Sequence, residues 1–379
     1  MLPRLTEPTL APSRPPLSEL SLAGNAGGRA PAQRSLKGNT PVIDLLDAFG
    51  PEFCSRVRLG QAAPLLPEIA QRYCQELADS HYENFSVLSP LVPDEALPDF
   101  AAVYAFCRWA DDLGDETGSD ETARERSTRL LAWWQSELDA CYTGDVVHPV
   151  YLALAPVILR HNLPKMLFSD LISAFAQDQI KTRYETIDEV LDYCRRSANP
   201  VGRLVLYLAG HRPSDDRAGV FAKSDLVCTA LQLVNLWQDV RRDLLERNRI
   251  YLPQLQTGLS EEKLRAWQND DRSEHRLEYI KALRPLVQQA DAMFAAADDL
   301  PSLVNPRFAA VIWLFAAGGR SIARKTERLG CTTLWHRPRL SKLSKLSLVA
   351  RAWWMNRRMQ RTSAVAKVRQ NAPQIGATQ

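Results

Sequence analysis

The chain has 379 residues, 45% hydrophobic and 24% charged, a composition that suits a folded protein with a large core. A formal net charge of only +3, with no basic stretch interleaved with aromatics, argues against a nucleic-acid binder. The seven cysteines are scattered without any C-x-x-C spacing, which excludes a zinc site or a disulfide scaffold and fits reduced thiols in a cytosol.

Residues 1 to about 45 are rich in Pro, Gly, Ser and Ala and are expected to form a disordered tail. The GNAGG run from Gly24 to Gly28 has no strand before it and no P-loop lysine after it, so it is no phosphate loop. Pro8, Pro12, Pro15 and Pro16 interrupt any signal-peptide h-region. No run of ~18 uncharged apolar residues occurs, so no membrane span is expected. A cytoplasmic protein follows, one that meets any greasy substrate from the water side.

From about 60 to 360 apolar residues recur three and four apart, as in LPDFAAVYAFCRWADDLGDE and DLVCTALQLVNLWQDVRRDLL. Alternating strand patterns are nearly absent, and breaks fall at Pro90 to Pro93, Pro164, near Pro213 and at Pro253. The expected fold is all-α, with one helical domain over 46–362 and a flexible C-terminal tail over 363–379.

The first chemical feature is CRWADDLGDE, with Asp111, Asp112, Asp115 and Glu116. Asp111 and Asp115 are about one helical turn apart and share a face, behind an apolar stretch with Tyr104, Phe106 and Trp109. By itself this cluster also fits a solvated acidic helix end. The second feature is LQLVNLWQDVRRDLL, where Asp239 and Asp243 repeat the spacing and Gln232 and Asn235 lie on nearly the same face. A surface of ion pairs with Arg241 and Arg242 does not explain a polar stripe flanked by Leu231, Leu233, Val234, Leu236 and Trp237. Such a stripe is expected to face a cavity or a ligand. Two carboxylate pairs with almost no softer donors suit Mg²⁺, which completes its shell with waters and phosphate oxygens. Ions held between them would make pyrophosphate a better leaving group and leave a carbocation in an apolar cavity.

VYAFCRWADDLGDE resembles the first aspartate-rich motif of the trans head-to-head prenyl synthases, the squalene, dehydrosqualene and phytoene synthases. LQLVNLWQDVRRDLLERNRIYLP resembles their second motif, and the likeness runs from about Tyr82 to Arg351. The resemblance implies a single large helical bundle of the isoprenoid synthase type with a central cavity. It places Mg²⁺ on Asp111 and Asp115, with Asp112 beside them, and on Asp239 and Asp243 opposite. It also assigns Gln232 and Asn235 to the diphosphate or the ions, Arg108 to the diphosphate, and Tyr104 and Tyr193 to the cavity. Arg249 and Tyr251 match the Arg and Tyr beyond the second motif, and Ser86 in HYENFSVLSPLVP matches a serine beside the phosphates. A loop or helix-cap serine is the plainer reading of Ser86.

Two departures from that pattern matter. The condensing synthases read YC-x-x-VAGTVG where this chain has YCRRSANPVG, and Trp237-Gln238 stands where they carry an Arg before the second Asp motif. With HYENFSV and RYETIDEVLDYC, these features resemble the hydroxysqualene synthase branch of the hopanoid pathway. That branch takes presqualene diphosphate, expels pyrophosphate and lets water trap the cation. Ser197 and Asn199 are then candidates to hold the water, while Asn199-Pro200 also fits a simple helix kink.

The competing expectations are a synthase that condenses two prenyl diphosphates, a class I terpene cyclase, and a non-catalytic assembly factor on the same fold. Retention of all four aspartates weighs against the last. The six histidines form no i, i+4 pair, so a His-based metal site or triad is not expected. The expected partners are an isoprenoid diphosphate and, by hand-over, a presqualene diphosphate synthase. The C-terminal stretch LSKLSKLSLVARAWWMNRRMQR reads either as a last helix packed on the core or as an interfacial helix touching membrane.

Overall fold

The computed structural model describes residues 45–80, 91–115, 118, 120–216 and 218–370, with side chains described as far as Arg358. The Pro/Gly-rich tail, Glu116 and the Ser86 motif with His81 lie outside the described residues. Among the described residues there is no strand, only a parallel bridge between Arg183 and Ile250.

Helices α1 (Pro51–Arg58) and α2 (Pro67–Ser80) precede α3 (Leu97–Asp115), α4 (Glu121–Thr143), α5 (Pro149–His161) and α6 (Lys165–Gln177). After them come α7 (Ile187–Ser197), α8 (Asn199–Leu208), α9 (Val220–Gln238), α10 (Val240–Glu246) and α11 (Glu261–Trp267). The chain closes with α12 (Ser273–Ala296), α13 (Ala309–Arg328) and α14 (Lys342–Gln370). Helix α14 runs on to Gln370, into the segment 363–379 expected to be a flexible tail, of which residues 371–379 lie outside the described residues. Pro164 and Pro253 stand at helix N-termini, as their fixed φ and missing N–H favour, whereas Pro156 and Pro285 sit inside α5 and α12.

Two buried helices organise the bundle. Helix α3 packs on α2, α4, α5 and α6, and α9 packs on α7, α8, α12 and α13. Because α3 carries the first aspartate motif and α9 leads into the second, the packing that buries them also sets the motifs' positions. Under α3, Trp109 stacks on Trp134 at 5.3 Å, and Phe106 meets Phe168 edge-on at 4.8 Å. His148 lies in this aromatic box with no exposed surface, its Nδ1 accepting from Val150 N–H at the start of α5. Its Nε2 has no partner there, and burial holds the ring well below the usual histidine range.

Helix α7 begins with a capping box, in which Thr186 accepts from Glu189 N–H and Glu189 reaches back to Thr186 N–H. It ends at Ser197, and Pro200 opens α8 in the first turn, where a missing N–H costs no hydrogen bond. The kink expected at Asn199-Pro200 is thus present. Gly202 is needed one turn later: a Cβ there would stand 2.4 Å from Cys228 Sγ and 2.5 Å from Ser224 Oγ.

Candidate active site

The stretch read as one helix through the second motif divides at Asp239, whose φ of −102° and ψ of 14° separate α9 from α10. Asp243 N–H still donates to Asp239 C=O at 2.9 Å, so both carboxylates keep the same side. Along α9, Gln232 and Asp239 are half-buried and Asn235 is exposed, while Leu233, Val234, Leu236 and Trp237 are buried. The polar stripe expected from the sequence therefore faces an opening in an otherwise buried helix.

The turn after α10 is built to aim Arg249. Asn248 takes a left-handed φ of 52°, and Arg249 N–H donates to Asp243 C=O at 2.8 Å. Arg183 from the segment before α7 donates to Asn248 C=O at 2.6 Å and to its side-chain oxygen at 2.8 Å. Residues 250–255 then pair along 182–185, with Ile250 N–H on Thr182 C=O at 2.9 Å and Leu255 N–H on Glu185 C=O at 2.9 Å. This pairing fixes the direction of Arg249 and Tyr251.

Arginines join the two motifs. Arg249 donates to Asp115 Oδ1 at 2.7 Å, and Arg247 meets Asp115 Oδ2 at 2.7 Å and Asp243 Oδ1 at 3.7 Å. The charge of Asp111 also acts on Arg247. Arg337, in the strap between α13 and α14, makes a two-pronged pair with Asp239 that includes a 2.9 Å contact to Oδ2. The strap is tied down where Gln238 donates to Pro338 C=O at 2.5 Å. Among the described residues no group of three or more His, Cys, Asp or Glu is already gathered around a metal position. Burial raises the Asp243 carboxyl to about 7 despite Arg247, with the Asp239 and Asp115 charges adding to the rise. Asp111, Asp115, Asp239 and Asp243, with the amide oxygens of Asn235 and Gln232, form a donor set of hard oxygens only.

Behind Arg249 lies a group that motif spacing does not reveal. Asp178 is buried at the end of α6, accepts from Tyr193 O–H at 2.7 Å and lies 3.7 Å from Arg249. Its Oδ1 has no hydrogen-bond partner, and burial raises its carboxyl to about 6 against the pull of Arg249. Tyr251, Tyr184 and Tyr193 form a triangle of rings, with the Tyr251 centroid 5.3 Å from each of the others and those two 5.9 Å apart. Tyr193, expected to line the cavity, is instead a buried support for the Asp178–Arg249 pair. The residues missed from the sequence are Asp178, Arg247 and Arg337; the third of the four arginines in DVRRDLLERNR, four residues after Asp243, was the available signal for Arg247.

Two further expectations are corrected. Asp112 points away from Asp111 and Asp115, is 2% exposed, and pairs with Arg108 at 2.6 and 2.8 Å. One residue along a helix turns the side chain by about 100°, which carries Asp112 out of the face shared by Asp111 and Asp115. Arg108 accordingly holds Asp112 here. Asn199 is also buried, its Oδ1 accepting from Thr229 O–H at 2.9 Å, so its amide braces α8 against α9. Tyr104 is half-buried on α3, one turn before Arg108, and burial pushes its phenol up to about 12.

Next to the polar stripe is an apolar cavity of about 220 Å³ between α7, α8, α9 and α13. Val205, Leu206, Leu231, Ile312 and Phe315 form much of its wall, and Gln232 connects it to the aspartates. Ser197 also lines it, and its buried hydroxyl has no hydrogen-bond partner.

This arrangement sets a charged anion-and-cation site beside an apolar chamber, and comparison with known proteins places it in a family. The hydroxysqualene synthase of Sinorhizobium fredii is 33% identical over 228 residues, covering 59% of this chain and 72% of that protein. That of Zymomonas mobilis is 37% identical over 174 residues, covering 45% of this chain and 54% of that protein. The crystal structure of squalene synthase HpnC from Alicyclobacillus acidocaldarius superposes with a TM-score of 0.61 at 38% identity, covering 70% of this chain and 95% of that one. The fold is thus that of the isoprenoid synthases, and the likeness lies near the hydroxysqualene branch. Residues 78–344 match the model of the squalene/phytoene synthase family, to which the chain belongs.

Proposed function

We propose that this chain converts presqualene diphosphate to hydroxysqualene and pyrophosphate with the help of Mg²⁺. The family acts on isoprenoid diphosphates; the choice of product is the reading advanced here. The observation that carries it is the unpartnered hydroxyl of Ser197 inside a largely apolar cavity. A buried hydroxyl without a partner is costly and is satisfied by a water. Gln232 lines the same cavity and offers that water a second polar neighbour.

In this scheme Asp111, Asp115, Asp239 and Asp243 would hold Mg²⁺, which when bound supplies neutralising charge for the leaving pyrophosphate. The C–O bond to the diphosphate breaks with its electron pair leaving on pyrophosphate. Arg247, Arg249 and Arg337, paired with Asp115 and Asp239, would supply positive charge for the phosphate oxygens. The apolar walls hold the rearranging cation away from bulk water. One water at Ser197 then forms the new C–O bond and loses a proton to solvent or to pyrophosphate, so presqualene diphosphate plus water yields hydroxysqualene plus pyrophosphate.

Head-to-head condensation of two prenyl diphosphates is the second reading, favoured by the 38% identity to a protein described as a squalene synthase. Purified protein with Mg²⁺ is given presqualene diphosphate alone or farnesyl diphosphate alone. Hydroxysqualene from the first and no turnover of the second is expected. Consumption of farnesyl diphosphate to presqualene diphosphate or a C30 hydrocarbon would sink the proposal in favour of condensation. Ser197→Ala is expected to divert product from alcohol to hydrocarbon.

A further inference from the structure

Helix α14 carries two apolar stripes on opposite sides, and the bundle uses only one. At about 100° per residue, Leu348, Ala352, Met355 and Asn356 fall on one side. Ala352 and Asn356 are buried there, and Leu348 and Met355 pack on the core. Leu343, Leu346, Trp353 and Trp354 fall within an arc of about 100° on the other side. They are 79%, 65%, 45% and 62% exposed, the largest grouping of exposed large apolar side chains on one element among the described residues. Two exposed tryptophans on one turn leave a large apolar area in water, which a monomeric soluble surface rarely does.

The charge on α14 is as one-sided as its apolar surface. Its 29 residues include eight Lys and Arg and no Asp or Glu. Arg357 lies over the Trp353 ring at 4.0 Å, and Arg358 over the Trp354 ring at 5.6 Å. Each pair sets a guanidinium over the face of an apolar ring, combining charge and apolar surface as the boundary between headgroups and acyl chains requires. No described helix is long and apolar enough to cross a membrane, so contact of this kind would be in the plane of the surface.

A second cavity lies under the same helix. It measures about 220 Å³, is lined by Leu348 and Arg351 of α14, and shares Leu300 and Ile312 with the cavity that contains Ser197. Asp298, Arg320 and Arg324 also line it, so this pocket is partly polar and stays on the bundle side of α14, away from the exposed stripe.

From the second stripe and the unbroken positive charge, we infer that α14 docks the protein onto an anionic phospholipid bilayer. The partner is a lipid surface, chosen over an acidic protein because the exposed stripe is apolar and aromatic along its length.

The test is vesicle sedimentation with the full-length protein. It is expected to pellet with phosphatidylglycerol-containing vesicles at low salt, to be released by high salt, and to stay soluble with phosphatidylcholine alone. The pair Arg357→Gln, Arg358→Gln is expected to weaken anionic binding roughly thirtyfold, at about a factor of five per lost charge. The pair Trp353→Ala, Trp354→Ala is expected to weaken it by roughly tenfold or more. All four residues are exposed, so unchanged melting temperatures are expected and separate loss of docking from loss of fold. Wild-type protein left in the supernatant with anionic vesicles would overturn the inference, as would variants that bind like wild type. Self-association without lipid that the tryptophan pair abolishes would also overturn it, assigning the stripe to a second copy of the chain.

Discussion

Arg249 and Asp115 stand 134 residues apart in sequence and meet at 2.7 Å, closing the first aspartate motif against the turn that follows the second. Both side chains are nearly buried, at 8% and 12% exposure, and Asp178 lies behind them. Removing one partner of such a pair leaves a charge in a poor solvent. Arg249→Met is expected to cost about 3–5 kcal/mol in urea unfolding. A change below about 1 kcal/mol would mean that Arg247 alone compensates Asp115.

Arg337 competes for Asp239 with any cation that would bind there. Arg337→Gln is expected to lower the Mg²⁺ concentration needed for binding, read by calorimetry on the free protein. The same variant is expected to raise KM for the diphosphate substrate about tenfold, as loss of one charge-assisted contact does. A variant with Mg²⁺ affinity and KM both unchanged would show that Arg337 only anchors the strap.

His148 makes stability depend on pH. Its folded-state pKa lies below the ordinary 6.5 because the ring is buried among aromatics. Below about 6.5 the unfolded chain takes up a proton that the folded ring refuses, so the folded state loses ground as pH falls. At pH above that value the term vanishes. Unfolding free energy is expected to fall more steeply between pH 7.5 and 5 in wild type than in His148→Phe. Parallel curves for the two proteins would contradict this. The comparison is needed because Asp178, with its carboxyl raised to about 6, acts in the opposite sense and favours the folded state as pH falls.

Gly202 tests how tightly α8 and α9 close the cavity. An added Cβ meets Cys228 Sγ and Ser224 Oγ at 2.4 and 2.5 Å, and both side chains line the chamber. Gly202→Ala is expected to destabilise by about 1–3 kcal/mol and to displace these side chains into the chamber. Slower turnover with an altered product ratio is the readout; wild-type stability and products would show that the helices slide apart without cost.

The spacing of apolar and acidic residues was enough to establish an all-helical chain, two aspartate-rich motifs and the polar stripe Gln232–Asn235–Asp239, because these are properties of one helix at a time. Helical period alone puts Asp111 with Asp115, and a proline alone marks the kink before α8. What no single segment contains is the partner of each charge. Asp112 reads as one more ligand until its neighbour Arg108 and its burial are seen, and Asn199 reads as a cavity residue until Thr229 accounts for it. Asp178, Arg247 and Arg337 come from three separate parts of the chain and acquire meaning only where packing brings them to the aspartates. The second stripe on α14 is of the same kind: its residues are plain in the sequence, but only the packing of Ala352 and Asn356 on the bundle decides which side stays in water. Local pattern follows from backbone geometry, whereas charge compensation and burial depend on contacts between distant segments, and only the tertiary structure decides those.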